Sequence, residues 1–315
     1  MKELLEFLEE KNKHLVLFGG KGGVGKTSIA SATAIKCSEL GLKTLITSSD
    51  PAHSLSDVFN QKSILGGDIT EIKGYDNLYA LETDPKKVLD EYNHYLEDYP
   101  ELKLLLGEEF EEFPGANEGF GLLNIIRRFN NEDWDVIIVD TAPTGHTLKL
   151  LSFPDFLGKT AIKLIRIRNA LGSFVDKISS FFRRRKSGDK KDISEFLEIA
   201  KQWSEETQNV LSNEKTSKFL VVMIPEILSI NETQRLINSL NEFQIPIGGI
   251  FVNKFFPKDT TCSFCLKKRA QQEKNFEKIK IIFQKYPIKA VPFFEDEIQG
   301  ILMIEKLKNM IFPNV

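Results

Sequence analysis

The sequence predicts an α/β fold, a mostly parallel sheet with flanking helices, into which an α-helical subdomain is inserted. Three observations carry this reading. Short, nearly continuous apolar runs alternate with helix-prone stretches, as strands covered on both faces by crossover helices do. Residues 85–131 and 148–214 interrupt that alternation with no strand pattern of their own. A glycine-rich segment, Gly19-Gly20-Lys21-Gly22-Gly23-Val24-Gly25-Lys26-Thr27-Ser28, joins the first apolar run to the first long helical stretch. The sheet domain therefore comprises 1–84, 132–147 and 215–315, and the helical subdomain 85–131 and 148–214.

In chain order, residues 1–10 read as an acidic amphipathic helix and 14–18 as a buried strand. A helix follows over 29–40, and the remaining apolar runs are 43–47, 77–81, 135–139, 219–224, 247–252 and 288–291. Their β-branched, unbroken character fits strands buried on both faces. Within the insertion, Leu164, Ile167, Leu171, Phe174, Ile178 and Phe181 recur at steps of three and four, a sustained apolar helix face. Ile193, Phe196, Leu197, Ala200, Trp203, Val210 and Leu211 mark a second face, and the charged stretch 183–192 between them reads as a loop. A basic helix is expected from Leu266 onward. No internal repeat is evident, so one site per chain is expected.

Composition narrows the function classes. A formal net charge of -3 and a pI near 6.0 give no bulk attraction for nucleic acid. Three cysteines cannot build a disulfide framework, which favours a reducing compartment. The N-terminus lacks the pattern of a signal peptide, and no run of about 18 uncharged apolar residues exists to span a membrane. A soluble, cytoplasmic protein is expected.

The glycine segment has the pattern and context of a phosphate-binding loop: strand, glycines, then the N-terminus of a helix. Without Cβ atoms, the backbone from Gly20 through Gly22, Gly23, Val24 and Gly25 can turn its N–H groups around phosphate oxygens. The helix that begins near Ser28 adds its own partial positive charge. Lys26 is positioned to reach the β- and γ-phosphates of ATP or GTP, and the Thr27 hydroxyl to ligate Mg2+. Lys21, a second lysine in the loop, marks the deviant Walker A class of P-loop NTPase, in which it reaches the nucleotide of a partner subunit. Asp140 ends the apolar run 135–139 as a Walker B aspartate does, and would hold Mg2+ through its water shell. Asp50, beside Pro51 after the run 43–47, is either a turn residue or a carboxylate aimed at the γ-phosphate.

Together, Lys21 to Thr27, Asp50-Pro51-Ala52-His53-Ser54-Leu55 and Asp140-Thr141-Ala142-Pro143-Thr144-Gly145-His146-Thr147 resemble the arsenite-pump ATPase family. That family includes the targeting ATPases for tail-anchored membrane proteins. The resemblance continues through Pro114 to Glu118, Glu226 to Ser229, Asn253, Cys262 to Cys265, Pro292 and Gly300, nearly the whole chain. It implies that Asp50 is the catalytic aspartate, with Lys21 acting on the same reaction, and that Asn253 reads adenine, which makes ATP the nucleotide. It further implies that Glu226 contacts the nucleotide and that Pro292 and Phe293 pack against the base. Two departures stand out: Asn117 replaces the usual aspartate, and the helical subdomain contains no methionine, whereas the eukaryotic targeting factors are Met-rich there.

Cys262-x-x-Cys265 supplies half of a tetrahedral zinc site, which a two-fold homodimer would complete. A redox or inert pair is the other reading, and in either case Lys267, Lys268 and Arg269 are expected to favour thiolates. Cys37 reads as a small core residue. The Leu164 to Phe181 face is either packed core or, in a dimer, one wall of an apolar groove for a client's transmembrane segment. The resemblance thus implies a homodimeric ATPase that holds tail-anchored clients and hands them to a membrane, with a membrane receptor among its partners. Two alternatives are an energising subunit for arsenite efflux, which would need thiols in the helical subdomain, and a partitioning or Min-type spatial organiser, a class without the cysteine pair.

Overall fold

The computed structural model describes residues 2–48, 54–65, 67–82, 87, 116–142, 193–257 and 261–313. The chain divides into two compact units, one of residues 1–84, 127–148 and 211–315, the other of 85–126 and 149–210. In the first unit eight strands form one sheet in the order β3-β4-β2-β5-β1-β6-β7-β8. Every neighbouring pair is parallel except β3 with β4. Among the described residues no helix is long and apolar enough to cross a membrane.

The centre of the sheet is built from β1 (His14–Gly19), β5 (Val136–Asp140), β2 (Thr44–Ser48) and β6 (Ser217–Met223). The first three are buried at every position, which is why their sequences run apolar without alternation. Toward one edge lie β4 (Leu78–Glu82) and the two-residue β3 (Thr70–Glu71), too short to leave a periodic signal. Toward the other lie β7 (Ile247–Phe255) and the half-exposed edge strand β8 (Ile288–Pro292). The sequence reading of 247–252 for β7 falls short because the strand continues past a left-handed Lys254 (φ 59°), where its register with β8 shifts.

Helix α1 (Lys2–Glu9) turns Leu4, Phe7 and Leu8 into the core and its glutamates outward. The helix after the glycine loop, α2 (Lys26–Glu39), is buried almost all round and is rich in Ala, Ser and Thr. It lies between the sheet and the last helix of the chain, and small side chains let both approach. Five further helices complete the described fold: α3 (Ser54–Phe59), α4 (Ala116–Asn131), α5 (Ile193–Ser212), α6 (Ile227–Glu242) and α7 (Ser263–Ile282). The last, α8 (Ile301–Ile311), buries Ile304, Leu307 and Ile311, and Lys308 pairs with Glu39 of α2. Glu82, buried at the end of β4, accepts from the Leu55 and Ser56 N–H groups at 2.9 Å each and so holds the first turn of α3. The Leu164 to Phe181 face lies outside the described residues.

His14 is fully buried at the start of β1. Its Nε2 donates to the Glu10 carbonyl at 3.0 Å, since a carbonyl can only accept, and its buried Nδ1 has no hydrogen-bond partner. A second proton would be buried without an acceptor, and burial pushes the imidazole below its ordinary value of 6.5. The unfolded chain therefore takes up this proton first. The stability conferred by neutral His14 is fully present above pH 6.5 and is lost as pH falls toward the lower, folded value. Urea midpoints should fall between pH 7 and the mildly acidic range, and His14→Gln should flatten that slope. An unchanged slope in the variant would mean that His14 is not the group titrating.

Candidate functional site

The carboxyl ends of β1, β5, β6 and β7 converge on the glycine loop, the region where parallel sheets gather ligands. The loop leaves β1 at Gly20 and enters α2 at Gly25, both with positive φ (155° and 94°). A Cβ at Gly20 would overlap the Val222 carbonyl, and one at Gly25 would overlap the Asn253 side-chain amide. Glycine is required here as much by neighbours as by backbone angle.

Around this turn the side chains interlock. Thr27 Oγ1 donates to Asp140 Oδ2 at 2.6 Å, and Asp140 is wholly buried. Lys26, also buried, points its Nζ back along the loop, 3.5 Å from the Lys21 carbonyl. Asn253 Nδ2 donates to the Val24 carbonyl at 2.8 Å, and Lys254 Nζ to the Gly23 carbonyl at 2.7 Å. Beside the loop an open pocket of about 320 Å³ is lined by Gly25, Ser28, Asn253, Lys254, Pro292 and Phe293, with an acidic rim from Glu295 to Glu297. Phe293 is 45% exposed and stacks on Phe256, ring centroids 5.7 Å apart and planes 12° from parallel.

The sequence candidates thus gather around one site, with exceptions. Glu226 caps α6 with its backbone at the end of β6; its side chain is exposed and it does not line the pocket. Lys21 forms an ion pair with Glu232 of α6 at 3.4 Å. Asp50 lies outside the described residues. Lys254 and Phe256 were not singled out by the sequence; the only hint was their position directly after Asn253.

The cysteine pair sits at the start of α7, three residues earlier than the expected helix at Leu266. Cys262 is the N-cap residue and is exposed; Cys265 lies in the first turn. Hydrogen bonds from the Cys265 backbone, then its side chain, then the Phe264 backbone favour the Cys262 thiolate and lower its pKa. Two of the three expected basic neighbours are engaged elsewhere: Arg269 pairs with Glu273 at 2.9 Å, and Lys268 lies over the Phe264 ring. Among the described residues no cluster of three or more His, Cys, Asp or Glu exists to hold a metal ion. Cys37 is buried, which pushes its thiol up to about 12, as suits an inert core residue.

A phosphate loop opening a helix, with its threonine bonded to a buried aspartate, defines a nucleotide-binding α/β protein of the P-loop class. Residues 13–313 match the family described as anion-transporting ATPases. ATPase ASNA1 homolog 2 of Paramecium tetraurelia is 34% identical over 305 residues, spanning 95% of this chain and 93% of that protein. ATPase GET3 of Phaeosphaeria nodorum is 32% identical over 314 residues, 96% of each chain. ATPase get3 of Pyrenophora tritici-repentis is 31% identical over 319 residues, 98% of this chain and 94% of that protein. The chain belongs to the anion-transporting ATPase family, and it is an ATPase.

Gly25→Ala places a methyl group against the Asn253 amide at a left-handed position. It should weaken nucleotide binding by roughly tenfold or more and lower stability by about 1–3 kcal/mol. Titration with a fluorescent nucleotide and urea unfolding read the two effects. Native affinity in this variant would mean that the Asn253–Val24 bond does not shape the pocket.

Proposed function

We propose that this protein is a homodimeric, cytoplasmic ATPase that holds the transmembrane segment of tail-anchored membrane proteins and delivers them to a membrane. The observation that carries this reading is similarity to the ASNA1 and GET3 ATPases over nearly the full length of both partners, from a chain with a complete nucleotide loop. An arsenite-efflux role is less well supported, because 85–131 and 148–214 contain no cysteine to bind a metalloid.

In this reading Lys26 neutralises the β- and γ-phosphates, and the N–H groups from Gly20 to Ser28 cradle them. Thr27 and Asp140 are suited to Mg2+, a hard cation that prefers oxygen ligands and would spread the charge of the phosphates. Asn253 orients the base, and Phe293 with Pro292 offers it an apolar platform. Glu226, at the mouth of the same strand ends, is assigned a contact with the nucleotide. Asp50 orients the attacking water and accepts its proton. Lys21 acts in trans on the partner's nucleotide, for which it must leave Glu232. Such a partly exposed pair is worth about 1 kcal/mol, so the exchange costs little. Leu228, exposed on the first turn of α6, lies one turn before Glu232 on the helix, and with the exposed Ile227 beside it in sequence suits a face that meets a second copy.

Cys262 and Cys265 would hold Zn2+ jointly with the same pair of the partner. The client segment is assigned to the Leu164, Ile167, Leu171, Phe174, Ile178 and Phe181 face. A transmembrane helix in water exposes apolar surface at about 0.8 kcal/mol per CH2, which gives such a groove its driving force. Delivery would then be made to a receptor at the membrane.

The test is co-expression with a tail-anchored protein together with Asp50→Asn, which should bind Mg-ATP, hydrolyse it very slowly and co-purify with the client. In parallel, Lys21→Ala should bind ATP yet turn over about a hundredfold or more slower, because its charge acts on the transition state. A Lys21→Ala enzyme with native turnover removes the trans role, and failure of any client to co-purify removes the targeting role.

Elemental analysis of the purified dimer should give one zinc per two chains, the stoichiometry a shared four-thiolate site requires. One ion per chain, or none in a stable dimer, would overturn the shared site.

A further inference from the structure

The pocket wall that faces the base depends on residues that do not touch the pocket. After Asn253, β7 passes through Lys254 in the left-handed region (φ 59°) and resumes pairing with β8 only at Phe255 opposite Pro292. A lysine held there is strained by roughly 1–3 kcal/mol and persists only where its surroundings enforce it. The enforcing group is one side-chain amide on α7. Gln272 Nε2 donates to the Lys254 carbonyl at 3.0 Å, and the Phe256 N–H donates to Gln272 Oε1 at 2.8 Å. Arg269 adds a third tie, its guanidinium donating to the Phe256 carbonyl at 3.2 Å.

Both ends of this clamped segment reach the nucleotide pocket. Lys254 lines it and bonds to the Gly23 carbonyl of the phosphate loop. The Phe256 ring supports Phe293 from behind, and the Phe293 N–H donates to the Phe255 carbonyl at 2.8 Å.

We infer that Gln272, assisted by Arg269, is a positioning residue that sets affinity for the base of the nucleotide by fixing Lys254 and the Phe256–Phe293 stack. The inference rests on the nucleotide reading of the pocket given above. An amide is suited to the task because it presents a donor to one backbone group and an acceptor to the other. Glutamate keeps the acceptor for the Phe256 N–H but turns a second acceptor toward the Lys254 carbonyl. Leucine keeps the bulk and loses both bonds. In each variant Lys254 is free to leave its strained conformation, and the platform loses its backing. The phosphate loop keeps its frame, β1 and α2, and loses only the Lys254 bond to the Gly23 carbonyl.

The experiment compares ATP with inorganic tripolyphosphate as competitors of a fluorescent ATP analogue, on the wild-type protein and on Gln272→Leu and Gln272→Glu. ATP affinity should fall by about tenfold in both variants, a factor that corresponds to about 1.4 kcal/mol; leucine loses both bonds, and glutamate loses one and sets two acceptors against each other. Tripolyphosphate, which has no base, should lose much less affinity than ATP, and kcat at saturating ATP should change much less than KM. Gln272→Asn, which retains the amide on a shorter stem, should recover part of the loss. Equal loss for ATP and tripolyphosphate would reduce Gln272 to a general structural role and overturn the inference. So would native ATP affinity in both variants. A wild-type protein that binds neither ligand would instead overturn the nucleotide reading.

Discussion

Thr27 and Asp140 meet where no solvent reaches Asp140, and the nucleotide end of the molecule is organised around that contact. A buried carboxylate is costly unless hydrogen-bonded, so its partner cannot move away without penalty. The contact requires that β5 end level with β1, and the sheet register pairs Phe18 with Asp140. Thr141 then locks the same level by donating from its backbone and its hydroxyl to the Phe18 carbonyl, at 3.1 and 2.7 Å. On the other side of β5, Ser48 pairs with Asp140, which brings the end of β2 to the same height. One polar contact and one register therefore fix where the loop, the helix and two strand exits lie.

Much of this was legible because burial on both faces writes itself into sequence. The runs at 14–18, 43–47 and 135–139 match β1, β2 and β5 to within a residue at each end. The family resemblance rested on the same strand exits. Other features had no such signature. A left-handed lysine is invisible in sequence because Lys254 carries none of the residue types that announce a turn. The start of α7 was placed late because Cys262, Ser263 and Phe264 do not look helical, although Cys262 serves as the N-cap residue. Glu82 and Gln272 act across 26 to 27 and 16 to 18 residues of chain, respectively, and such distances leave no local pattern.

Lys21 has one expected partner and another observed one. The proposed role sends its side chain to a partner, whereas in the single chain Glu232 holds it. The two arrangements are compatible because a partly exposed ion pair is weak enough to exchange. By contrast, Lys26 is buried in the loop and has no comparable freedom.

The grip of Glu82 on the N–H groups of Leu55 and Ser56 has a further meaning for the edge of the sheet. Glu82 is the register partner of Ser48, and Ser48 is the register partner of Asp140. The carboxylate that tethers α3 and the one that meets Thr27 therefore stand in a single row across three neighbouring strands. A slip of one residue in β4 would turn Glu82 to the opposite face of the sheet, and α3 would lose its anchor while the Thr27–Asp140 contact stayed in place.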